Sequence, residues 1–91
     1  MSETVDSLYI TTKSHKKLRK LVKHLKSLGL DVSGDTKNVR HNGLIIWNKG
    51  LKGTVTVSSF SGVNNRIKIK ELLKTETKYE LFEMIDSIYV Y

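Results

Sequence analysis

The sequence predicts an α+β domain: a small three-stranded antiparallel sheet with two helices on one face, an extra C-terminal helix and short terminal strands. Three observations lead there. Apolar residues recur at three- and four-residue steps over 18–28, which is helical spacing. Valine alternates with hydroxyl residues over 54–58, which is strand spacing with one face wet. A glycine-containing loop, 48–53, separates that strand from a second apolar run, 44–47. At 91 residues the chain is one domain's worth, with its core expected over about 13–74 and an extension over 75–91.

Taken in order, Ser7-Leu8-Tyr9-Ile10-Thr11-Thr12 is rich in strand formers and predicts a short strand. A helix over about 13–28 follows, with Leu18, Leu21, Val22, Leu25 and Leu28 along one side. Thr12 or Ser14 can cap it, because a side-chain oxygen can accept from a first-turn N–H that lacks a helical partner. Gly29 suits the left-handed residue that ends a helix. Leu30-Asp31-Val32 begins an extended segment, and polar residues 33–43 join it to the next strand. A second helix is expected over about 65–74, capped by Asn64 or Asn65, with Ile69, Leu72 and Leu73 inward and Ile67 at its edge. A third is expected over 76–86, from the spacing of Tyr79, Phe82, Met84 and Ile85. Asp6-Ser7-Leu8-Tyr9-Ile10 echoes Asp86-Ser87-Ile88-Tyr89-Val90, so the two ends could pair at a sheet edge or across a homodimer.

Composition narrows the function. With no cysteine, disulfides and thiolate metal sites are excluded. The histidines at 15, 24 and 41 lack metal-ligand spacing, so neither a metal nor an organic cofactor is expected. No GxxxxGK[ST] loop is present, which argues against nucleotide hydrolysis. The first residues are polar and acidic, and no apolar run reaches the length of a membrane span. The expected setting is cytoplasmic, away from membranes.

Charge points to a partner. Sixteen Lys and Arg against nine Asp and Glu give a net +7. The excess is uneven: Lys13, Lys16, Lys17, Arg19, Lys20, Lys23 and Lys26 follow one another with no acid between them, whereas the end of the chain is acidic, with Glu71, Glu76, Glu80, Glu83 and Asp86 against Lys74 and Lys78. On a helical projection Lys16, Arg19, Lys20 and Lys23 group opposite the leucines, with Lys26 beside them. Like charges at i,i+4 repel by a few tenths of a kcal/mol per pair, so a single-sign face is unusual for a merely solvated helix. A phosphate backbone would relieve that repulsion, which makes RNA, or else DNA, the expected partner.

Two stretches carry a resemblance to a known family. "HKKLRKLVKHLKSLGLDVSGDTKN" at 15–38 resembles the opening of small HicA-type toxins, a basic helix ending in glycine and followed by a short strand and polar turn. "IIWNKGLKGTVTVSSFSGVNNRIKIKELLK" at 45–74 is similar to their continuation of strand, hairpin, T-V-T-V strand and helix. About 60 residues are covered, in the family's order. The resemblance implies a double-stranded-RNA-binding-like fold (helix, three strands, helix) and an mRNA endonuclease restrained by a partner antitoxin. It also implies a catalytic histidine at the start of the second strand of that core. Counting back from Trp47-Asn48, that place falls near Gly43, and the nearest histidine is His41, in Arg40-His41-Asn42-Gly43, without the family's preceding glycine.

The chemistry of such a site is economical. RNA supplies its own 2′-hydroxyl nucleophile, so one imidazole can move the proton while cations steady the phosphate. His41 is the candidate base, with Lys37 and Arg40 as phosphate contacts. Lys16, Arg19, Lys20, Lys23 and Lys26 are the candidate nucleic-acid-binding residues. His24, on the flank of the basic helix, reads either as a phosphate contact or as a solvated side chain. Trp47 continues an apolar run and reads as a packing residue before a base-stacking one, and Phe60 is the better-exposed aromatic. Two other readings stay open: a non-enzymatic RNA- or DNA-binding module, and a small phage-type inhibitor docking a host protein through its basic face.

Overall fold

The structure is a computed structural model that describes residues 7–63 and 65–88. Seven elements follow one another: β1 (Ser7–Thr11), α1 (His15–Ser27), β2 (Asp31–Ser33), β3 (Gly43–Trp47), β4 (Thr54–Ser58), α2 (Ile69–Leu72) and α3 (Lys78–Ser87). Together they make a small α+β domain built on a mixed four-stranded sheet.

The expected three-stranded antiparallel sheet is corrected in two respects. β1 is an integral strand that pairs antiparallel with β3, and β2 runs parallel to β4 rather than antiparallel to β3. The order across the sheet is β1-β3-β4-β2, so the β3–β4 hairpin sits between two parallel strands linked by α1. The reason lies in connection length. A tight turn forces its strands to be neighbours, as in the β3–β4 hairpin, but the polar stretch from 34 to 42 is long enough to carry the chain past β4. Gly34 permits the departure. Its φ is +104°, and a Cβ there would stand 2.7 Å from the carbonyl oxygen of Val57.

Alternation in the strands builds one apolar layer. Leu8 faces Ile46, Ile10 faces Leu44, Leu44 faces Val57 and Ile46 faces Val55 across the ladders. Leu18, Leu21, Val22 and Leu25 of α1 cover this layer, joined by Ile67, Leu72 and, from α3, Leu81, Phe82 and Ile85. Fully burying a Leu or Ile side chain contributes roughly 1.5–3 kcal/mol, so this single cluster carries the fold. It runs from Leu8 to Ile85 and draws on both β1 and α3. No described helix is long and apolar enough to cross a membrane.

α1 starts and stops where its sequence signals lie. Ser14 caps it, its hydroxyl accepting from the Lys17 N–H at 3.3 Å, and Gly29 follows it at φ +90°. α3 begins at Thr77, whose hydroxyl accepts from the Glu80 N–H, while the Glu80 carboxylate accepts from the Glu76 N–H. The second helix is far shorter than expected. It is a single turn whose N-cap is Lys68, and Ile67, placed at a helix edge by the sequence, is buried ahead of it. Asn65 does not cap it, and Asn64 lies outside the described residues. Of the terminal echo, Asp86 and Ser87 belong to α3 and Ile88 caps it, so they form no strand, while Tyr89 and Val90 lie outside the described residues.

Candidate nucleic-acid interface

The basic side of α1 is fully presented. Lys16, Arg19, Lys20, Lys23 and Lys26 are all exposed, because the leucine stripe fixes which side of the helix meets the sheet. Among the described residues no carboxylate forms an ion pair with any of these five. The repulsion anticipated along this face therefore has no internal compensation within the described part of the molecule.

Beside that face lies a groove of about 600 Å³, walled by α1 and by the segment leading into α2. Lys17, Lys20, Lys68 and Lys70 line it together with Asn65, Ile69 and Leu73. Four ammonium groups around a partly apolar floor suit a ligand with both phosphates and flat apolar surface. Lys17, Lys68 and Lys70 were not among the residues singled out from the sequence. A signal existed for two of them: in Ile67-Lys68-Ile69-Lys70 the isoleucines alternate with lysines, so burying one set exposes the other.

His41 stands in the β2–β3 connection, two residues before β3 and half-buried. Two Asx turns shape that connection: Asp35 Oδ1 accepts from the Lys37 N–H at 2.7 Å, and Asn38 Oδ1 accepts from the Arg40 N–H at 2.9 Å. The His41 Nδ1 lies 2.6 Å from the carbonyl oxygen of Asp35. A carbonyl can only accept, so Nδ1 carries a proton, and in the neutral form of the ring this leaves the lone pair on Nε2. Lys37 and Arg40 are exposed in the same loop, and the Arg40 carbonyl accepts from the Ser59 hydroxyl. Among the described residues no hydrogen bond joins His41, Lys37 or Arg40 to the lysines of α1, and none of the three lines the lysine groove.

Two further residues named from the sequence, His24 and Trp47, are half-buried. His24 is thus not a solvated side chain, and its Nε2 lies 3.2 Å from Thr75 Oγ1, tying α1 to the α2–α3 link. Trp47 lies outside the core cluster. With Ile45 it points to the sheet face opposite the helices, and its indole N–H donates to Thr56 Oγ1 at 3.2 Å. On that same face Tyr9 and Phe60 meet edge to face, ring centroids 5.6 Å apart.

Phe60 is held by its backbone. The side-chain amide of Asn42 donates to the Phe60 carbonyl at 2.8 Å and accepts from the Phe60 N–H at 2.7 Å. A second hollow of about 450 Å³ opens there, lined by Thr11, Thr12, Lys13, Asn42, Phe60 and Ser61 among others. It shares Thr11 and Thr12 with the lysine groove.

This chain matches no protein-family model, and no curated protein or solved structure is significantly similar to it.

Proposed function

We propose that this protein binds nucleic acid, RNA in the first place, through the exposed face of α1 and the lysine groove beside it. The observation that carries the reading is the row Lys16, Arg19, Lys20, Lys23 and Lys26, presented to solvent without an ion-paired carboxylate among the described residues. Each phosphate neutralised by such a cation releases condensed counterions, so affinity is expected to fall steeply with salt. The helix–strand–strand–strand–helix order supports a double-stranded-RNA-binding-like, HicA-like reading, although the parallel β2 is a departure from consecutive antiparallel strands.

A second, enzymatic reading is favoured by one contact. The Asp35 carbonyl holds His41 in the tautomer whose Nε2 can accept a proton from a ribose 2′-hydroxyl. Lys37 and Arg40, exposed in the same loop, would steady the phosphate that such an attack crowds with charge. The products would be a 2′,3′-cyclic phosphate and a free 5′-hydroxyl, with no metal required.

Anisotropy titrations of labelled RNA test the binding reading. Wild-type affinity should fall by more than tenfold between about 50 and about 200 mM salt. Affinity that ignores salt, or no binding in dilute buffer, would remove the phosphate contact as an explanation for the basic helix.

A further inference from the structure

The sheet has two unlike faces. One is buried under all three helices through the common core. The other carries Tyr9, Ile45 and Trp47 with threonine and serine from β4, and Phe60 lies against it where Gly43 leaves room for the ring. Among the described residues no helix packs on this face. An aromatic cluster there has a specific chemical consequence. Edge-to-face geometry, unlike stacking, does not occupy a face of both rings, so the Tyr9–Phe60 pair leaves ring surface for a flat partner.

What connects this cluster to charge is the corner at Thr11 and Thr12. These two residues wall both the lysine groove and the hollow that ends at Phe60. A chain laid along Lys20, Lys17 and Lys68 therefore reaches the second hollow, with Lys13 and Phe60, by way of Thr11 and Thr12, which border both. Both sides of the corner are fixed by paired amide hydrogen bonds, Asn65 on Thr11 and Asn42 on Phe60, so the path is set before any ligand arrives.

We infer that this corner is a track for single-stranded nucleic acid, with phosphates on the groove lysines and an unpaired base stacked at Phe60 and Tyr9. The inference rests on the nucleic-acid reading above and sharpens it. A duplex can use the cations, but its bases are already stacked and cannot reach a ring set at a bend. A flexible single strand can turn the corner and offer a base face. A small anion would satisfy the lysines and leave the aromatic half of the path unused.

The test compares a uridine dodecamer, a thymidine dodecamer and an RNA duplex of the same length, read by anisotropy and by the emission of Trp47, the chain's single tryptophan. Either single strand should bind more tightly than the duplex and should change Trp47 emission, which the duplex leaves alone. Tyr9→Leu and Phe60→Leu, each checked for an intact thermal transition, should weaken single-strand binding by about fivefold or more and leave duplex binding unchanged. Lys17→Gln with Lys68→Gln should weaken it independently of the aromatic changes. The inference is overturned if folded Tyr9→Leu and Phe60→Leu bind single strands like wild type, or if duplex and single strand bind equally. It is also overturned if Tyr9→Leu abolishes a homodimer without changing nucleic-acid affinity. Equal binding of both forms through the lysines would leave the nucleic-acid reading standing, whereas no binding to any of the three would remove both.

Discussion

The side-chain amide of Asn65 grips the backbone of Thr11 at two points, accepting from its N–H at 2.8 Å and donating to its carbonyl at 2.7 Å. Asn65 thus does for the last residue of β1 what a neighbouring strand would do, satisfying both groups on an edge that has no further strand among those described. The same contact explains why the second helix starts late. An amide engaged on β1 cannot cap a helix at 65, and the chain bends at Arg66 and Ile67 before Lys68, still extended with ψ 144°, caps it.

Removing that amide should loosen the corner without touching the core. Asn65→Ala is expected to cost about 1–2 kcal/mol, the net worth of two partly solvated hydrogen bonds. In a domain of this size the corresponding fall in melting temperature is roughly 4–8 °C per kcal/mol. Differential scanning calorimetry checks it. Amide exchange at Thr11 should quicken more than at Ile10, and uniform quickening along β1 would mean the strand is held elsewhere.

Much of the fold could be read from local pattern. Leu18, Leu21, Val22 and Leu25 gave α1, Ser14 and Gly29 bounded it, and the glycines of 48–53 gave the β3–β4 hairpin. What could not be read is decided between distant segments. β2 is three residues long with one inward side chain, Val32, so nothing local selects β4 over β3 as its neighbour. Likewise the exposed lysines of α1 follow from a leucine stripe, but Lys68 and Lys70 join them only because α2 docks beside α1. The Tyr9–Phe60 pair is formed by residues far apart in sequence and could not be anticipated from either segment.

Charge reversal on α1 should act on binding and spare the fold. Lys20→Glu with Lys23→Glu removes two phosphate contacts and adds two repulsive ones at exposed positions. Binding to RNA should become undetectable, while the urea midpoint should stay within about 0.5 kcal/mol of wild type, as for ordinary surface changes. The milder Lys23→Gln should lower the slope of log affinity against log salt by about one. An unchanged slope would take Lys23 out of the interface.

Cleavage, where it occurs, should depend on the ring of His41 and on the ribose hydroxyl together. His41→Ala is expected to slow RNA scission by about 10²- to 10⁴-fold, the usual contribution of a positioned proton-transfer group. Affinity for the RNA should hardly change, because the α1 cations remain. An RNA with a 2′-deoxy residue at the cut site should bind and resist cleavage. If wild type and His41→Ala leave labelled RNA equally intact, the protein is a binder and the enzymatic reading is withdrawn.

Gly43 offers the sharpest separation of contact from conformation. It opens β3 without a positive φ, and its hydrogen faces the Ile10 carbonyl so closely that a Cβ there would overlap the oxygen. The same Cβ would stand 3.1 Å from Cδ2 of Phe60 and 3.1 Å from Cα of Thr11, and two of these three neighbours are backbone. Relief therefore requires β1 to move away from β3, which opens the apolar layer between Ile10 and Leu44. Gly43→Ala is expected to cost about 3 kcal/mol or more, a large part of the stability of a small domain. Gly50→Ala is the control. At φ +63° with open space around the new methyl, it should cost only the left-handed penalty of about 1–2 kcal/mol. Urea unfolding of the two variants side by side decides the point, and equal midpoints would mean that close approach at Ile10 does not govern the β1–β3 pairing.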